Sequence, residues 1–209
     1  MRTPSPTAPP TAVVTGANRG LGFALAEQLA SSGARVVLTA RDERRAADAA
    51  AALVERGLEV QAYRARLDVS CRRSVATFAA FCARELDGAP DVLVNNAGVC
   101  EEGWTEAVVR RAVRTNVLGP LLLTRLLLPA MVRRGRGQVL SVSSGDGELC
   151  YLSPPLQDDL RAVDSHAALL RLLARAAPPR DAYGAAPAHG PSPAYSLSKA
   201  ALNLSLIHI

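Results

Sequence analysis

A glycine-rich turn between a strand and a helix constrains this chain more than any other feature. Thr11-Ala12-Val13-Val14 is a short, β-prone apolar run. It leads into Thr15-Gly16-Ala17-Asn18-Arg19-Gly20-Leu21-Gly22, and Phe23 to Ala30 continues with helical patterning. Each glycine has a physical role in such a unit. Gly16 allows the tight turn out of the strand, Gly20 lets backbone approach a pyrophosphate, and Gly22 lets the helix sit close to the sheet. The helix N-terminus offers N–H groups and a partial positive charge to phosphates. The spacing is G-x-x-x-G-x-G and not the commoner G-x-G-x-x-G.

The rest of the chain alternates as a parallel sheet requires. Strands are expected at 35–39, from 59 towards 68, at 91–94 and at 138–142. Helices are expected at 42–56 with a stop at Gly57, at 70–86, and as a long helix that holds Asn116 and ends near Pro129. Strands separated by helices of this length imply βαβ units, hence an α/β doubly wound parallel sheet. Its ligands bind outside the carboxyl ends of the strands. Near the end of the chain, Tyr195 and Lys199 lie four residues apart in a segment that reads as helix, so they share a face. A lysine so placed can lower a tyrosine's pKa from about 10 and make it a proton donor near neutrality.

These motifs together resemble the short-chain dehydrogenase/reductase family, and within it the monomeric carbonyl reductases. The residues that carry the likeness are 15–22, Leu38-Thr39-Ala40-Arg41-Asp42, Leu67-Asp68-Val69, Asn95-Asn96-Ala97-Gly98, Thr115-Asn116-Val117, Val142-Ser143-Ser144 and Tyr195-Ser196-Leu197-Ser198-Lys199. They span nearly the whole chain in the family's order. The resemblance implies cofactor contacts from Gly16, Asn18, Arg19, Gly20, Leu21 and Gly22. It places Asp68 and Val69 beside the adenine and Asn96 beside a ribose. At the end of the second strand, a carboxylate would select NAD and an arginine NADP. Asp42, about 20 residues after the glycines, is the rival acidic reader for NAD, but Arg41 and Arg19 favour NADPH, and Asp42 reads better as a helix N-cap.

The same resemblance implies the chemistry. Tyr195 is the general acid that protonates a carbonyl oxygen. Lys199 supports it and holds the nicotinamide ribose. Ser144 hydrogen-bonds the carbonyl oxygen, and Asn116 holds a water that links Lys199 to solvent. Ser143 is expected to bond backbone or cofactor. The implied reaction is NADPH-dependent reduction of ketone, aldehyde or quinone carbonyls.

Fifty residues separate Ser144 from Tyr195. Carbonyl reductases carry a similar insertion, which covers a surface that other members use for tetramers, so a monomer is expected. Apolar residues at 156, 160, 163, 167 and 170 suggest one helix from 156 to 177, with Asp158 and Asp159 near its start, inside an insertion at about 150–193. Residues 180–193 read as a return loop, and His166 and His189 as surface residues. Residues 1–10 read as a disordered tail, and 11–209 as one domain.

Composition narrows the alternatives. Net charge is +5, but aromatics are 4% with no basic stripe among them, which argues against nucleic acid. The four cysteines have no C-x-x-C spacing and no histidine cluster, which argues against a metal and for reduced thiols in the cytoplasm. Cys100 follows Asn95-Asn96-Ala97-Gly98-Val99 and is expected near the site, which makes oxidation sensitivity a suspicion there. No apolar run approaches a membrane span, so no membrane partner is expected. After the catalytic helix the family continues with further strands and a loop over the nicotinamide, whereas this sequence stops at Ile209. That leaves two expectations open: a reductase whose complete form is longer, or a non-catalytic remnant that binds nucleotide weakly or serves as an interaction surface.

Overall fold

A computed structural model describes residues 8–176 and 192–206. Five parallel strands form one sheet in the order β3-β2-β1-β4-β5. They are β1 (Thr11–Val14), β2 (Arg35–Leu38), β3 (Val60–Ala62), β4 (Val92–Asn95) and β5 (Gln138–Ser141). β1 lies at the centre, with Val13 paired to Val37 on one side and to Leu93 on the other. Its four residues are all buried, as expected of a parallel strand covered on both faces. The chain divides into two compact units: 1–97 with 122–142, and 98–121 with 143–209.

The first unit holds the sheet with α1 (Gly20–Ser31), α2 (Glu43–Val54), α3 (Arg72–Glu85) and the larger part of α5 (Gly119–Arg133). Strand residues alternate between two cores. Val14, Val36, Leu38 and Val94 pack with Ala26, Ala30, Ala46 and Leu53 from α1 and α2. Val13, Val37 and Leu93 pack with Phe78 and Cys82 of α3 and with Leu123, Leu127, Ala130 and Met131 of α5. The last four repeat at helical spacing and so share one face. Gly57 terminates the α2 segment as expected, in a left-handed conformation with φ of 80°. Pro10, at the edge of the expected tail, accepts a hydrogen bond from the Arg35 N–H at 2.9 Å.

The second unit contains α4 (Glu106–Val113), a π-turn (Arg114–Leu118), 3-10 turns at Gly145–Gly147 and Leu149–Tyr151, α6 (Pro154–Arg161), α7 (His166–Ala176) and α8 (Pro193–Ser205). Its core gathers Val109, Val113 and Val117 with Leu156, Leu160, Leu169, Leu172, Leu197 and Ala201.

Several expectations change. The long helix does not end near Pro129 but continues to Arg133. Pro129 is solvent-exposed, as is Arg125, so the carbonyl that the proline leaves without an N–H can be hydrated. The insertion forms two helices instead of one. Ser165 Oγ accepts from the Ala168 N–H at 3.2 Å and starts a new helix, which resets the apolar phase. Leu169, Leu172 and Leu173 are therefore buried, while Ala167 and Leu170 are exposed. Asp158 and Asp159 fall at the end of α6, where Arg161 bonds Asp158. Of the return loop, 180–191 and His189 lie outside the described residues, and Pro193 already begins α8.

The run Glu106–Arg133 is also apolar and long enough to cross a membrane, contrary to expectation. Within it, 56% of the most apolar window is buried inside the protein, as in a core helix.

Candidate active site

The glycine turn is built as its spacing requires. Gly16 has φ of +64°, and a Cβ there would lie 2.9 Å from the Ala97 Cα. A Cβ on Gly22 would lie 2.3 Å from the Asn96 amide nitrogen. Gly20 has φ of +58°, and apart from its own neighbourhood in the chain no atom of the described residues lies within 4 Å of such a Cβ, which leaves room for a ligand. Arg19 precedes α1 without a side-chain cap, and no acid lies in the first turn. The helix N–H groups are thus left for an anion. Leu21 is exposed and Asn18 half-buried on the same turn.

Thr15, to which the sequence reading gave no role, organises this region. Its hydroxyl donates to the Val94 carbonyl at 3.2 Å and accepts from the N–H groups of Asn96 and Ala97 at 3.0 Å each. Asn96 donates from its amide to the carbonyls of Thr15 and Gly16. Its side chain thereby braces the glycine turn.

Arg41 follows β2 on the surface, and neither it nor Arg19 has an ion-pair partner among the described residues. Asp42 caps α2, accepting from the Arg45 N–H at 3.1 Å. The carboxylate that could have selected NAD is thus committed to its helix. Asp68 is also committed: Oδ1 accepts from the Ser70 N–H and hydroxyl, and Oδ2 from Arg66. Burial raises its carboxyl, but these bonds outweigh it and hold the group below the usual range. The Val69 side chain belongs to the apolar core, so only its backbone is available to a nucleotide.

These features suit a dinucleotide phosphate cofactor: a cradle that a Cβ would fill, an uncapped helix N-terminus, and two arginines without an ion-pair partner among the described residues.

In the second unit, α8 carries Tyr195 and Lys199. Lys199 Nζ lies 5.5 Å from the centroid of the Tyr195 ring. Tyr195 is half-buried, whereas Lys199 is only 5% exposed. Burial lowers the Lys199 ammonium below its ordinary value, and Cys100 pulls the other way. Ser144 caps the 3-10 turn, accepting from the Asp146 N–H at 3.2 Å. That turn packs on α8: a Cβ on Gly147 would lie 2.9 Å from the Lys199 carbonyl carbon. Asn116 sits in the π-turn, which also contacts α8. Its Oδ1 accepts from the Val99 N–H, and its amide donates to the Val99 carbonyl and to Ser198 Oγ, all at 2.8 Å. Both donors of the Asn116 side chain are therefore occupied by protein. The unit gathers Asn116, Lys199, Tyr195 and the turn capped by Ser144 around one helix.

The Ser143 hydroxyl donates to Asn203 Oδ1 at 2.6 Å, so within the protein its partner is a side chain instead of backbone. Cys100 is exposed, but its thiol is pushed up by burial and by Asp146 and Glu102, against Lys199. Its thiolate fraction is lowered, which counters the suspected oxidation sensitivity.

Residues 10–153 match the family model described as short chain dehydrogenase. The chain belongs to the short-chain dehydrogenase family. Two further likenesses are in sequence. The chain is 40% identical over 136 residues to dehydrogenase/reductase SDR family member 13 of Bos taurus, covering 64% of this chain and 35% of that protein. It is 34% identical over 166 residues to (+)-neomenthol dehydrogenase of Arabidopsis thaliana, covering 68% and 55%. The chain thus spans about a third to a half of the length of these curated relatives. Among solved structures, menthone neomenthol reductase from Mentha piperita matches with a TM-score of 0.79 at 25% identity, over 95% of this chain and 84% of that one. A metagenomic short-chain oxidoreductase in complex with NADP matches with a TM-score of 0.66 at 32% identity, over 93% and 70%. The order and packing of the five strands are those of a Rossmann-like α/β fold.

Proposed function

We propose that the full-length protein is an NADPH-dependent reductase that converts ketone, aldehyde or quinone carbonyls to alcohols. The observation that carries this reading is the buried Lys199 ammonium 5.5 Å from the Tyr195 ring, on a helix that also meets Asn116 and the Ser144 turn. The names of the relatives support it, since two are a neomenthol dehydrogenase and a menthone neomenthol reductase.

When bound, NADPH supplies hydride to the carbonyl carbon. Tyr195 donates its phenolic proton to the carbonyl oxygen as negative charge develops there. Lys199 stabilises the phenolate left behind and holds the nicotinamide ribose. Ser144 donates a hydrogen bond that orients the carbonyl oxygen. Asn116 anchors the π-turn beside this helix. The α1 N-terminus takes the pyrophosphate, and Arg41 with Arg19 pairs with the 2′-phosphate. The protein acts as a cytoplasmic monomer on a small carbonyl compound and needs no nucleic acid or membrane. The grounds for the monomer are the insertion that covers a tetramer surface in the resembled reductases.

The test follows NADPH oxidation with a cyclic ketone, an aldehyde and a quinone. Turnover of at least one is expected. Tyr195→Phe should lower kcat by about 100-fold or more while NADPH binding persists. Lys199→Ala should damage both. NADPH binding without turnover of any of the three would sink the reductase reading and leave a non-catalytic nucleotide binder.

A further inference from the structure

Ser198 stands one residue before Lys199 and three after Tyr195, and it is wholly buried. Its hydroxyl donates to the Tyr195 carbonyl at 2.7 Å and accepts from the Asn116 amide at 2.8 Å. The Tyr195 carbonyl is the one that the helix ladder offers to the Lys199 N–H. Ser198 therefore grips the peptide turn that joins the phenol to the ammonium. Asn116 is held in turn by the Val99 N–H and carbonyl, both at 2.8 Å. The result is an unbroken path: Val99 backbone, Asn116 amide, Ser198 hydroxyl, Tyr195 carbonyl.

We infer that Ser198 is a positioning residue that sets the roll of α8 about its axis, and with it the placement of Tyr195 and Lys199. The catalytic part of this inference rests on the reductase reading above. The physical need is plain from the packing. The face that α8 buries includes Ala194, Leu197, Ala200 and Ala201, set against Val109, Val113 and Leu156. Contacts among such side chains are non-directional and leave a shallow preference for roll. A hydrogen bond between two buried side chains is directional. A roll of about 7° carries a phenol oxygen at the tip of a tyrosine through about 1 Å, since such tips lie beyond the roughly 5–6 Å side-chain radius of a helix. A misplacement of that size can slow a reaction about 100-fold. Removing the Ser198 hydroxyl would also leave a buried Asn116 N–H without an acceptor, so Asn116 would move and loosen Val99.

The experiment uses Ser198→Ala in the full-length protein, read by amide hydrogen exchange and by kinetics. Exchange at the Val99 N–H should rise about tenfold or more, while Val13 and Val37 in the sheet keep their protection. Turnover should fall by about ten- to 100-fold, and KM for NADPH should rise less than it does in Lys199→Ala, where the ribose contact is lost altogether. In an Asn116→Ala background, Ser198→Ala should add less than about twofold, because the path is already cut. Unchanged Val99 exchange overturns the inference, as does a rise in exchange spread evenly over the whole chain. Additive losses in the double variant overturn it too. If the parent protein turns over no carbonyl, the reductase reading fails, yet Val99 exchange still decides whether Ser198 holds the helix.

Discussion

Gly147 has no room for a side chain. A Cβ there would stand 2.9 Å from the carbonyl carbon of Lys199 and 3.0 Å from its Cβ, and the first of these is backbone that cannot swing aside. Gly147→Ala should therefore cost about 1–3 kcal/mol of stability and lower kcat, read by thermal melting and NADPH turnover. Arg41→Asp should weaken NADPH by about tenfold to 100-fold and spare NADH, because a charge-assisted pair is worth about 1.5–3 kcal/mol. Equal loss of both cofactors in a titration would show that Arg41 is not the selector. Cys82 supplies a pH dependence. Burial pushes its thiol up to about 12 from 9.0. Between those values the unfolded chain has lost the proton and the folded one keeps it. Stability should thus fall as pH rises from about 9 towards 12, and Cys82→Ala should flatten that slope in pH-dependent urea melts. At pH 8 the exposed Cys71 and Cys150 should react with a thiol reagent and Cys100 more slowly, whereas Cys82 should wait for unfolding.

At the scale of elements, local signals were the readable ones. The strand, glycine turn and helix at 11–31 were legible because each part has its own periodicity or turn chemistry. Asp42 was legible as a cap because capping acts over three residues. The Thr15 and Ser198 contacts were not, since their partners lie 81 and 82 residues away and only folding brings them together. The break inside the insertion was missed because the apolar spacing of two short helices mimics one long helix. Strand β5 raises a different matter. It bonds only β4 among the described residues, and Leu140 on it is 49% exposed. An unpaired apolar edge favours association. Residues 1–209 expressed alone should scatter light increasingly with concentration, and Leu140→Lys should reduce that scattering. An identical scattering curve for the two would show that the edge is not responsible.

For the molecule as a whole, the nucleotide motifs lie in one compact unit and Asn116, Ser144, Tyr195 and Lys199 in the other. The chain crosses between the units three times, after residues 97, 121 and 142. Neither unit is therefore a continuous stretch of sequence, and this bears on how the protein emerges from a ribosome. By residue 142 every segment of the first unit has been made. Segment 98–121 has been made as well, but its core partners have not: Val109, Val113 and Val117 bury themselves with residues from Leu152 to Ala201. That apolar face must wait through about 60 further residues, or roughly 3–12 seconds at about 5–20 residues per second. A holding chaperone would have its natural target in that interval, on the helix that will later pack against α8.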